Sequence, residues 1–416
     1  MDTKSLATLL VAMALLATAC ASSPDTQGDG TTSSSTAESS STASPSSTAA
    51  SSTSGAESDG SAPVPAGPSA LTDPRSDAFP DALVPIDEII SGGPPPDGIP
   101  PIDAPVFIDV VQADDLLEGA ESVVALEING DARAYPVRVM IWHEIVNDTV
   151  GGFPVSVTYC PLCNSAVSYG REVNGVETTF GTSGRLFASA LVMYDRLTES
   201  LWTHFDGRAV VGVLAGTQLD PVASPLMAWE DFAAAYPEGR VLDWTRTGHS
   251  RDYGRNPYVG YDDAETEPFL FRGVVDDRER AKQRVVGITV DDASVAYSMA
   301  LLADGDGSAT PVTIGGRELV ILWKPGQASA LDASTVEGGQ DVGSVGVFVP
   351  EVDGSSVTLV AQGGQFIDSE TGSTWTIAGI AVDGPLEGSN LERVEHLDTF
   401  WFAWSTYRPE TLLVEE

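Results

Sequence analysis

The sequence predicts a mainly β (α+β) protein made of two tandem homologous β-rich halves, each closed by a C-terminal helix. Three observations carry this expectation. Short Val-, Thr- and Tyr-rich runs recur along the chain, turn-forming pairs such as Asn129-Gly130 and Asn174-Gly175 separate them, and the second half repeats the order of the first. In chain order the strand-like runs are "VVALEI" (123–128), "DARAYPVRV" (131–139), "FPVSVTYC" (153–160), "SAVSYGREV" (165–173), "VETTFG" (176–181), "LVMYDR" (191–196) and "AVVGVLAG" (209–216). Helical periodicity is clearest in "PLMAWEDFAAAYP" (225–237) and again near 395–407. Each half therefore reads as a sheet or partial barrel capped by one helix.

The repeat is visible in four ordered matches. "VVALEINGDARAYP" (123–136) matches "VVGITVDDASVAYS" (285–298), and "YCPLCNSAV" (159–167) matches "WKPGQASAL" (323–331). The tryptophan of "TESLW" (Trp202) matches that of "TGSTW" (Trp375), and "WEDFAAAYP" matches "WFAWSTYRP". Matches in the same order indicate a tandem duplication, with small loop insertions between them. On this alignment Cys160 meets Lys324, Cys163 meets Gln327, Ser165 meets Ser329 and His204 meets Ile377.

The expected organisation has five parts. Residues 1–20 combine Lys4, an apolar run from Leu9 to Leu16 and a small-residue end at Cys20, the layout of a signal peptide with a lipobox-like close. Cys20 is then the lipidation site, and the chain is expected to be extracytoplasmic, held to the cell membrane by that lipid or else secreted. Residues 21–80 form a Ser/Thr/Ala-rich tether too poor in apolar residues to fold alone. The first repeat occupies 81–242, an Arg/Tyr/Gly-rich connecting loop 243–283, and the second repeat 284–416. With 60 Asp and Glu against 21 Lys and Arg, the net charge of −39 excludes nucleic acid as a partner.

Chemistry concentrates at "CPLC". Cys160 and Cys163 can cycle between dithiol and disulfide, with a protein thiol or disulfide as partner, or supply two soft sulfurs to zinc or copper. A structural staple is the weaker use, because so short a loop removes little entropy from the unfolded chain. The Val- and Tyr-rich stretch after Cys163 argues against a thioredoxin-like helix start, so activation of a thiolate falls to His143, His204 or Arg185. In the metal reading His143 and His204 complete a two-sulfur, two-nitrogen set. The competing structural reading of His143 is a buried ring bonded to backbone or to Glu144. His249 reads as a surface residue of the connecting loop, His396 as structural in the second terminal helix, and Ser183 in "GTSG" as a turn residue without the spacing of a nucleophile elbow.

Several segments together resemble a known family: "WHEIVNDTVGG", "VTYCPLCNSAV", "FGTSG", "VMYDRLTESLW", "DYGRNPYVGYD" and "FWFAW". They are similar to the bacterial domain of unknown function 3179 over about residues 105–410. The family usually has glycine after the second cysteine, where this chain has Asn164. Some relatives are described as carrying selenocysteine in this motif, so the resemblance implies redox work at Cys160 or Cys163.

Overall fold

A computed structural model describes residues 67–414. The signal-like segment, Cys20 and most of the tether lie outside the described residues. The tether's end does not: Ala70 is fully buried, and Leu71 and Phe79 pack beside Val192 and Leu201. Packing thus begins before residue 81, because a few apolar residues in an otherwise polar stretch suffice to dock it.

Most of the body is β-structure, and each half contains the same three sheets. In the first sheet of the first half, Ser122–Ile128 pairs antiparallel with Asp131–Pro136 and with Leu226–Ala228, while Arg240–Leu242 runs parallel to Asp131–Pro136. The second half repeats this with Arg284–Val290, Ala293–Ser298, His396–Phe400 and a parallel Leu412–Val414. The second sheet, Ile145–Val150, Phe153–Cys160 and Ser165–Gly170, reappears as Ser308–Ile314, Arg317–Lys324 and Ser344–Val349. The third sheet centres on the hairpin of Phe180–Phe187 with Ala190–Asp195, matched by Leu359–Gln362 with Gln365–Asp368.

Local chemistry explains the hairpins. Asn129 and Gly130 take φ of 53° and 80°, and Asn174 and Gly175 take 52° and 77°. Positive φ at both central residues is what a two-residue hairpin of the favoured twist needs. "DARAYPVRV" is not one strand. Its β-structure stops at Pro136, and Val137–His143 is helical, since proline's fixed φ suits a residue leading into a helix.

The duplication extends to buried hydrogen bonds. Asp195 accepts from the Thr198 and Ser200 backbone amides, the Thr198 hydroxyl and Trp202 Nε1. Asp368 accepts from Thr371, Ser373 and Trp375 in the same way. Gln283 and Ala281 carbonyls receive the Trp401 and Phe402 amides at the start of the closing helix Trp401–Tyr407. The equivalent helix is Trp229–Ala235.

One part of the sequence alignment is overturned. Cys160 pairs with Ser165 across a tight turn, but Lys324 pairs with Ser344. Residues 325–343 therefore stand where Pro161–Asn164 stands in the first half. Pro325 and Ser329 belong to this long loop and are not the counterparts of Pro161 and Ser165. A shared proline and serine at similar spacing misled the alignment because two short identities do not fix strand register.

The halves also grip each other reciprocally. Thr399 Oγ1 and the Phe400 amide donate to the Cys163 carbonyl at 2.8 and 3.1 Å, and Thr399 meets Ser165 at 2.7 Å. In the opposite sense, the Ala228 amide donates to Ser344 Oγ, which donates to Asp231. The largest core consequently draws on both halves, joining Cys160 and Cys163 to Val285, Leu397 and the Phe400–Trp404 aromatics.

Candidate functional site

Cys160 ends the strand Phe153–Cys160, and Cys163 is the third residue of the turn to Ser165–Gly170. Asn164 closes that turn at φ 49°, a left-handed conformation that glycine and asparagine adopt most readily. Asparagine here thus serves a backbone need that glycine would also meet. Strand Ser165–Gly170 follows at once, so the pair does not open a helix of its own.

His204 arrives from the third sheet, immediately after Leu201–Thr203, with its amide donating to the Leu191 carbonyl at 3.0 Å. Its neighbour Trp202 is pinned by Asp195. Donor atoms of Cys160, Cys163 and His204 all lie within 4.8 Å of one another. Both thiols are free, and the three residues are 1%, 0% and 0% exposed.

Burial sets the electrostatics. It lowers the His204 pKa to about 3, so the imidazole is neutral. Neither ring nitrogen has a hydrogen-bond partner among the described residues. A buried neutral imidazole left with two idle nitrogens costs free energy, about 1–3 kcal/mol for each unsatisfied group. Burial alone would also raise the Cys160 thiol. The neighbouring Cys163 thiol and the amides of Cys163, Leu191 and Leu162 outweigh it, leaving Cys160 below the ordinary thiol range. Cys163 is pushed well above that range, first by burial and then by Cys160. The pair releases its first proton at Cys160 and holds the second at Cys163.

The remaining predicted residues lie elsewhere. His143 is not in the cluster: Nδ1 lies 2.6 Å from the Pro100 carbonyl and Nε2 2.7 Å from the Tyr253 hydroxyl, so neither nitrogen is free for a thiolate or a metal. Its partners are backbone and a tyrosine, not Glu144. Arg185 points its guanidinium at the Leu71 carbonyl. Ser183 donates to the Val192 carbonyl at a register shift in its strand, a structural role. His396 begins the strand His396–Phe400, where its ring nitrogens face the Val394 and Val345 carbonyls.

Sequence reasoning missed Glu144 as a neighbour of the sulfurs. It sits at the end of the helix Val137–His143 with φ 58°. Burial, then the charge of Cys160, holds its carboxyl protonated well above the usual range. A left-handed non-glycine residue in a buried place is a signal available from structure alone.

The second half offers an internal contrast. Lys324 occupies the place of Cys160, and its ammonium lies 2.6 Å from Asp231. Ile377, 2% exposed, occupies the place of His204. A partly buried ion pair and an apolar side chain thus replace the donors, and the fold is kept.

No curated protein and no solved structure matches this chain. A family model matches residues 96–411, and the chain belongs to the family described as protein of unknown function (DUF3179).

Proposed function

We propose that this protein is an exported, membrane-tethered metal-binding protein that holds one soft ion, Cu(I) or Zn(II), between Cys160, Cys163 and His204. One observation carries the reading: a fully buried histidine, both ring nitrogens unpartnered among the described residues, stands within 4.8 Å of two free, buried thiols. Two sulfurs and an imidazole are a donor set for Cu(I) or zinc, and with zinc three protein ligands leave one position open for a further ligand. Binding would release the thiol protons and employ one idle nitrogen, removing most of the cost of burying the trio. Export and anchoring at Cys20 rest on the N-terminal sequence pattern. Elemental analysis tests the site: reduced protein reconstituted with Zn(II) or Cu(I) and desalted should retain one ion per chain, and Cys160→Ser should retain none. Equal retention by both, or by neither, refutes the reading.

A second reading is supported by the amides of Leu162, Cys163 and Leu191 around Cys160, which favour a thiolate. Here the two thiols close to a disulfide, giving two electrons and two protons to a small disulfide or hydroperoxide. Burial of both sulfurs favours a small oxidant over a protein partner. Loss of two hydrogens by mass after treatment with a small disulfide, absent in Cys163→Ser, supports it; an unchanged wild-type mass refutes it.

A further inference from the structure

The linker motif "RDYGRNPYVGYDD" (251–263) lies between two parts of the molecule. On one side it runs along the loop 325–343: Gly260 and Tyr261 amides donate to Asp332 and Leu331, Val336 donates to Gly254, and Asn256 Nδ2 reaches the Ala333 carbonyl at 2.8 Å. On the other side the Tyr261 hydroxyl donates to the Leu162 carbonyl at 3.0 Å, in the middle of the CPLC turn. Tyr261 is held in place twice more. Its hydroxyl accepts from the Phe269 amide at 3.2 Å, and the buried Lys282 ammonium donates to its carbonyl and lies 4.4 Å from its ring centre.

The Leu162 carbonyl and the Cys163 N–H belong to one planar peptide unit and point in opposite directions. That peptide unit leads directly into Cys163, whose Sγ is one of the three clustered donor atoms. A hydroxyl fixed on the carbonyl end therefore fixes the plane from which the Cys163 side chain departs. We infer that Tyr261 is a positioning residue for the Cys160–Cys163–His204 centre, acting through the Leu162–Cys163 peptide plane. The inference rests on the metal-binding reading above. It also explains what the linker and the inserted loop do for the site, since together they carry the tyrosine to the turn. Sulfur ligands oriented in this way hold their metal longer, as hydrogen bonds outside the ligand set do elsewhere.

Co(II) serves as the probe, because its thiolate charge-transfer absorption reports the sulfur environment. Tyr261→Phe keeps the ring and removes the hydroxyl. Tyr258→Phe is the control, since Tyr258 is equally buried in the same segment. Tyr261→Phe should still take up one Co(II) per chain, with a shifted charge-transfer band and release to a chelator about fivefold faster, the factor that one hydrogen bond represents. Tyr258→Phe should match wild type in both. Wild-type band and rate in Tyr261→Phe, or equal changes in both variants, would overturn the positioning role while leaving the metal site standing. No uptake by wild type would remove the metal reading itself, and this inference with it.

Discussion

Replacing His204 with isoleucine, the residue its counterpart position already holds, should move stability and metal binding in opposite directions. In the wild-type interior both ring nitrogens of His204 lack partners among the described residues, while Ile377 fills the equivalent place at 2% exposure. Each unsatisfied buried nitrogen costs about 1–3 kcal/mol, so removing two while keeping side-chain volume should stabilise the metal-free protein by about 2 kcal/mol. The same change deletes one of three donors. A ligand at a hundredfold its Kd stabilises by about 2.7 kcal/mol, a gain wild type should show with Zn(II) and His204→Ile should lack. Urea denaturation under reducing conditions, with and without zinc, reads both quantities. Metal-free His204→Ile that is less stable than wild type, or that keeps the zinc-dependent gain, refutes the reasoning.

Other consequences concern the frame around the site. Lys324→Met leaves the carboxylate of Asp231 buried without its cation, and should cost about 3 kcal/mol in denaturant unfolding while leaving metal uptake unchanged; a loss under about 1 kcal/mol would contradict it. Asp195→Asn and Asp368→Asn disturb equivalent networks and should each cost about 1–3 kcal/mol; unfolding midpoints that move for one variant alone would show that the halves differ in more than their ligands. Burial lowers His143 and His396 from 6.5 to about 4. Between those values the unfolded chain binds the extra protons, so their contribution is complete above about pH 6.5 and is lost as pH falls toward 4. His143→Gln should flatten that slope in unfolding free energy, and an unchanged slope would remove His143 as a cause.

The β-architecture is legible in the sequence because its signals are local. Asn129-Gly130 and Asn174-Gly175 dictate their hairpins, and the strand Phe153–Cys160 matches its Val- and Tyr-rich run end to end. The repeat is legible where the tryptophans and strand cores keep register, and it points to His204 through the contrast with Ile377. It fails at the turn, where the 325–343 insertion is masked by the shorter hairpin Leu359–Gln362 with Gln365–Asp368. The loop adds 15 residues and the hairpin removes 6, so the net shift of 9 passes for small loop insertions. What brings His143 to Pro100 and Tyr253, or Tyr261 to Leu162, is packing between segments far apart in the chain, and no spacing within one segment encodes it; Glu144 reaches Cys160 through the local hairpin of Ile145–Val150 with Phe153–Cys160. The pair Cys160 and Cys163 needs no such help, being set by one four-residue turn.

The halves also suggest why one site persists. In the second half Lys324, paired with Asp231, and Ile377 take the places of Cys160 and His204. The first half keeps an unsatisfied histidine beside two thiols, which stability alone does not favour. Local destabilisation retained inside a well-packed core is a mark of function.

X-ray absorption at the metal edge of the reconstituted, reduced protein tests the metal centre most directly. Two sulfur neighbours at about 2.3 Å and one imidazole nitrogen at about 2.0 Å are expected for zinc, with the nitrogen lost in His204→Ile. A first shell of oxygen and nitrogen without sulfur, or an unchanged shell in that variant, would contradict it.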